Sequence, residues 1–182
     1  MAAFRCTAKL LKAMKATPET RPHPSHNRLG EWTANLVRVS RIQLVIAVSE
    51  PTRFAVVIDA APYAAVRERF QHALFHALLH IGIPADAAAS EVEATYPLEP
   101  AVSNCRSVLG TLNRFADEVA SALYHGQACS AAELTRQLSG TIVLKPAHIV
   151  FPADRVREAF GLAPIDRRKM FPMLLPGDSR LH

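Results

Sequence analysis

At 182 residues the chain has the length of one ordinary domain, enough to bury a hydrophobic core. Hydrophobic residues at 49% and charged residues at 20% exclude a disordered or fibrous protein. The net charge of +5 is uneven: residues 1–53 hold nine Lys/Arg against three Asp/Glu, and residues 54–103 hold two against six. A basic surplus of this kind either attracts phosphate, nucleic acid or an acidic protein, or forms a solvated basic face.

In chain order, Phe4–Cys6 reads as a short strand leading into a helix with Thr7 as N-cap, which runs to about Ala16. Arg5, Lys9, Lys12 and Lys15 interrupt any apolar run there, so no secretory leader is expected. Pro18, Pro22 and Pro24 rule out regular structure up to about Arg28, leaving His23 and His26 in a surface loop. From Trp32 the pattern turns to β. Segments 32–40, 42–49 and 53–59 are rich in Val and Ile, with turns near Ser40 and Pro51, and predict a three-stranded antiparallel meander. Alternation places Trp32, Ala34 and Leu36 on one face and Asn35 on the other.

Pro62 suits the first turn of a long helix from Tyr63 to Ile81, with Val66, Phe70, Leu74, Ala77 and Leu78 on its core face. A strand near Val92–Leu98 is expected after an alanine-rich connection. A second long helix runs from about Ser103 to His125 on a stripe of Val108, Leu112, Phe115 and Val119. A helix over 130–138, strands near 142–144 and 148–151, and a helix over 153–160 follow. The fold class is α+β, a mainly antiparallel sheet with two long helices packed on one face. Residues 1–165 are expected to form one domain and 166–182 a basic, proline-containing tail.

No stretch reaches the length of about 18 apolar residues that a membrane span requires, so the protein is read as soluble, with no membrane partner. Three cysteines, Cys6, Cys105 and Cys129, include no C-x-x-C pair, which speaks against a disulfide framework or structural zinc and for a reducing cytoplasm.

Three strings put polar residues at fixed offsets inside apolar segments: RCTAKLLK from Arg5, LGEWTANL from Leu29 and RSVLGTLN from Arg106. Together they resemble a bacterial family, domain of unknown function 6933, whose members carry RCT-x-KLLK, LG-x-W-x-ANL and RS-x-LG-x-x-N. The resemblance runs from Arg5 to about Phe160 and implies relatives without implying a reaction, a cofactor or catalytic residues. After the asparagine of the third string relatives tend to have an acidic residue, where this chain has Arg114.

Signatures for phosphate loops, dinucleotides, zinc proteases and serine hydrolases are absent, and nothing calls for a cofactor. Arg5, Thr7 and Lys9 at the start of the first helix are one candidate anion site. Arg106, Gly110 and Asn113 fall on one helical stripe with Asp117; glycine in mid-helix costs about 0.5–1 kcal/mol against alanine, so Gly110 implies the close approach of a backbone or a ligand. Trp32 is either a stacking platform or a core anchor. Asn35 completes the set of polar residues that a core leaves unexplained. The row His72, His76, His80 is the candidate metal site, with Glu68 one turn earlier. Its outer members lie about 12 Å apart along the axis, so all three do not share an ion; the row is read first as a solvent-facing or interface stripe with no metal, and Glu68, His72 and His76 as a metal set is the competing reading.

Two functions of different class follow. One is a non-enzymatic binding module for an anionic group, either nucleic acid or an acidic partner. The other is a small metal-assisted hydrolase or nuclease using Glu68, His72 and His76. The sequence leaves open whether the protein is an enzyme.

Overall fold

The computed structural model describes residues 1–166; the tail expected over 166–182 lies, past its first residue, outside the described residues. The elements in chain order are strand β1 (Ala2–Cys6), helix α1 (Ala8–Met14), strands β2 (Trp32–Val39), β3 (Ile42–Ser49) and β4 (Ala55–Asp59), a 3-10 turn (Tyr63–Ala65), helices α2 (Val66–His80) and α3 (Ala85–Thr95), strand β5 (Leu98–Val102), and helices α4 (Arg106–Tyr124), α5 (Ala131–Ser139) and α6 (Pro152–Ala159). Among the described residues no helix is long and apolar enough to cross a membrane.

The strands form one five-stranded sheet in the order β4-β3-β2-β1-β5. The predicted meander is present as β2-β3-β4, antiparallel throughout, with Val39 opposite Ile42 across the Ser40 turn. β1 lies between β2 and β5 and runs parallel to both. The connection from β1 to β2 passes through α1 and a long loop, the kind of crossover a parallel pair requires.

The two long helices do not share a face, contrary to expectation. Phe70, Leu74 and Leu78 of α2 pack with Phe4, Trp32, Leu36, Val45 and Ala47 in one core. Val108, Leu112, Phe115 and Val119 of α4 pack with Leu44, Ile46 and Val48 in a second core. Alternate residues of β3 therefore face opposite sides, and both sets are apolar. A strand that is apolar on both faces must be covered on both, which two layers of helices achieve. The uninterrupted run Leu44–Val48 already carried that demand.

The strand expected near Val92–Leu98 is the helix α3 followed by β5. The alanines that suggested a connection are the best helix formers, and Ala88, Glu91 and Thr95 supply the buried side. Glu91 accepts hydrogen bonds from the backbone N–H groups of Arg28 at 3.1 Å and Leu29 at 2.9 Å, so α3 holds the end of the proline-rich loop. The same loop lies along the β5 edge: Glu19 N–H donates to the Pro100 carbonyl at 2.7 Å, and His23, exposed as a surface-loop residue is expected to be, meets Glu99 at 2.8 Å through Nδ1. Segments 142–144 and 148–151 are not strands; one hydrogen bond, from Val143 N–H to the Val150 carbonyl at 2.9 Å, joins them.

Candidate functional site

The polar residues of the three strings fall into two sets. Arg5 belongs to the first: its Nε donates to Glu31 Oε2 and stands 3.9 Å from Glu50 Oε1, and Nη1 reaches the Val102 carbonyl at 3.5 Å. Register brings this about, because Arg5 pairs with Thr33 across β1 and β2, and the Thr33 hydroxyl donates to Glu50 Oε1 at 3.1 Å. Thr7 occupies the N-cap of α1, but its hydroxyl does not cap the helix; it donates to Asn35 Oδ1 at 2.7 Å. The first two strings are thus bound to each other by Arg5–Glu31 and Thr7–Asn35.

Arg53, which the sequence did not single out, ties the third string to them. Its guanidinium donates to the Glu50 carbonyl through Nη1 and to the Ser107 hydroxyl at 3.0 Å through Nη2, linking the β3–β4 turn to the first turn of α4. Arg53 is 6% exposed and sits at φ 60°, a left-handed conformation that costs a non-glycine residue energy. Burial lowers its pKa, against the stabilising charges of Cys105 and Glu50. Gly30 belongs to the same architecture: its φ is +65°, and a Cβ there would stand 3.0 Å from the Pro51 ring. Trp32 is fully buried with its ring edge-on to Phe70 at 4.9 Å, which makes it a core anchor and not a stacking platform.

The second set lies outside. Lys9 is exposed on α1, and Arg106, Gly110 and Asn113 are exposed on the side of α4 opposite its core stripe. An added Cβ on Gly110 would meet nothing within 4 Å, so no other part of the described chain makes the close approach that the glycine implied.

Concavity is found elsewhere, along the β4 edge between α2 and α5. A groove of about 910 Å³ has Val57, Ile58, Ala73 and Ala77 among its apolar lining and His72, His76, His80, Arg136, Glu68 and Asp59 among its polar groups. The middle of the sheet edge beneath it is capped by one side chain. The Thr135 hydroxyl accepts from Val57 N–H at 2.8 Å and donates to the Val57 carbonyl at 3.3 Å, satisfying both outward backbone groups of the middle residue of β4. An unpaired strand edge would otherwise invite another strand. α5 is held in place by a capping box in which Ser130 and Glu133 bond each other's backbone.

The groove's cations are not equivalent. Arg69 is committed to the carbonyls of Ala60, Ala61 and Pro62, so it braces the end of β4. Arg136 makes one 3.4 Å bond, to the Ala132 carbonyl of its own helix, and is exposed, which leaves most of its donors facing solvent. Burial, and then the nearby Arg136 charge, lower the pKa of His80 below the ordinary histidine value of 6.5. At neutral pH His80 is therefore an uncharged donor and acceptor.

The candidate metal set does not assemble. His72 and His76 stack edge to face with centroids 4.5 Å apart, and among the described residues no group of three or more His, Cys, Asp or Glu side chains could hold an ion. The two groove hydroxyls that could serve as nucleophiles, Ser130 and Thr135, are engaged in the cap and the strand edge. Asp59, Thr135 and Arg136 escaped the sequence reading because nothing local marks them. The available signal was the histidine row itself, which looks solvent-facing until α5 is placed beside it.

A two-faced α+β sheet domain, with a polar brace joining its three polar strings and a groove along one sheet edge, is the class these features define. The chain belongs to the family described as a domain of unknown function (DUF6933), which it matches over residues 3–155. That span contains all three strings, the brace and the whole groove. No curated protein and no solved structure matches the chain.

Proposed function

We propose that this protein is a non-catalytic binding module that takes a carboxylate-bearing ligand with an apolar body, such as an acidic peptide segment, in the groove between α2 and α5. The observation that carries this reading is the composition of that groove: an apolar floor beside Arg136, whose guanidinium has donors to spare, and beside three histidines in a row. Ligand sites are typically concave, mostly apolar and equipped with a few convergent polar groups. A guanidinium is the side chain best shaped to grip a carboxylate in two places. Glu68 and Asp59 at the same groove repel a polyanion such as nucleic acid, whereas a ligand with one acidic group can keep clear of them.

This moves the anionic-group reading away from Arg5, Thr7 and Asn35, which are occupied with one another and with Glu31 and Glu50. The test is an amide-resolved NMR titration of the full chain with short aliphatic carboxylates and acidic peptides. Shifts are expected around Asp59, His72, His76 and residues 130–136. Arg136→Ala is expected to weaken binding by roughly 10- to 100-fold, the equivalent of a hydrogen bond to a charged group, while Lys9→Ala leaves it unchanged. Shifts that cluster on Lys9 and Arg106 instead, or no shifts at millimolar ligand, would remove the proposal.

A further inference from the structure

The third string leaves residues that neither the fold nor the groove uses. Arg106, Gly110, Asn113 and Asp117 are all exposed, and they follow one another at spacings of four, three and four residues, which keeps them on one line along α4. Arg114 and Glu118 on the adjoining flank pair with each other at 3.2 Å. Arg106 and Asp117, by contrast, have no ion-pair partner among the described residues. Gly110 weakens an exposed helix by about 1 kcal/mol relative to alanine, and open space surrounds it. Its absence of a side chain thus serves nothing within the described chain.

The spacing four, three, four reads the same in both directions, while the charge changes sign from one end to the other. Such a stripe is complementary to itself when reversed. We infer that α4 is a self-association surface on which a second copy of this chain docks its own α4 antiparallel, about a twofold axis passing between Gly110 and Asn113. In that arrangement Arg106 of each copy meets Asp117 of the other, at both ends of a contact ~16 Å long. Gly110 of each lies opposite Asn113 of the other, so beside the axis each asparagine amide packs over a position that has no side chain, and the helices can approach closely there. A parallel arrangement would set Arg106 against Arg106 and Asp117 against Asp117. Twofold pairing is also the commonest symmetry of homo-oligomers, because one self-complementary patch closes it. This surface is on the opposite side of the sheet from α2 and stands independently of the groove.

One helix pair makes a contact below the roughly 1,200 Å² that separates weak from standard interfaces. Association is therefore sought by sedimentation velocity from about 10 µM to about 1 mM, the range in which weak interfaces populate dimers. The wild type is expected to shift from monomer to dimer within that range. Arg106→Asp and Asp117→Arg are each expected to abolish dimerisation, because each replaces both cross-pairs by like charges. An equimolar mixture of the two variants is expected to dimerise again, since every cross-pair is then opposite in sign. Gly110→Leu is expected to remain monomeric with a thermal midpoint no lower than wild type, which separates loss of contact from loss of fold. A wild type that stays monomeric to the top of the range overturns the proposal. So does a dimer that survives the single substitutions, or a mixture that fails to recover one.

Discussion

Arg5 shows how one position can look like a ligand site and be a brace. A cation at the head of a helix, in a basic third of the chain, suggests an anion from outside. The anions are instead Glu31 and Glu50, supplied by the chain itself from positions that register places beside it. Arg5 and Glu31 retain only 15% and 22% of their side-chain exposure, so removing one leaves the other half-buried without its partner. Arg5→Ala is expected to lower stability by about 1–3 kcal/mol, read from urea unfolding, with ligand binding in the α2–α5 groove unchanged in whatever fraction remains folded. The cysteines offer a second check at this scale. Burial pushes the Cys6 thiol up to about 12, so almost none of it is thiolate at neutral pH, whereas Cys129 is exposed. Iodoacetamide on the native protein is expected to modify Cys129 readily and to spare Cys6 until denaturant is added, with mass spectrometry reporting each site.

At the scale of elements, α5 does more than add a layer. Its Thr135 is 5% exposed and pairs the outward N–H and carbonyl of Val57, at the middle of an edge strand that has no further strand beside it among the described residues. Replacing the hydroxyl by a methyl of similar shape, Thr135→Val, leaves the Val57 N–H and carbonyl buried and unpaired. The expected cost is about 1–3 kcal/mol, together with faster aggregation at the unfolding midpoint through the freed edge. Thr135→Ser keeps the bonds and is expected to retain most of the stability; an equal loss in both variants would show that the methyl packing, not the edge, is what matters. The helices were the elements most legible in the sequence. α2, α4, α5 and α6 appear within a few residues of their expected limits because each carries a periodic apolar stripe, strong in α4, that burial then uses. The element most misread was α3, whose apolar side is mainly alanine completed by the polar Glu91 and Thr95, so no hydrophobic period announces it.

For the whole molecule, the two-faced sheet decides where function can reside. With helices on both sides, little of the sheet's face is left open, and the groove lies at the β4 edge, lined by residues of α2 and α5. The groove prediction and the α4 prediction therefore concern separate surfaces: Arg136→Ala is expected to alter ligand affinity without changing sedimentation, and Asp117→Arg the reverse. The candidate site was only partly legible beforehand. His72, His76 and Glu68 were visible as a row, but their meaning depended on Asp59 and Arg136, which are brought alongside from β4 and α5 by tertiary packing alone.

What the sequence determined by itself is whatever rests on period and local chemistry: the α+β class, the β2-β3-β4 meander, the long helices and their buried faces, and membership of the family. These follow from interactions among residues a few positions apart, which a linear pattern records directly. Tertiary structure alone decided that α2 and α4 take opposite faces, that β1 enters the sheet parallel to its neighbours, that Arg5 and Asn35 are spent inside the fold, and that the histidine row borders a groove. Each of those depends on which distant segments become neighbours, and that is set by the burial of both faces of one sheet, an energy that belongs to the folded whole and to no single stretch of chain.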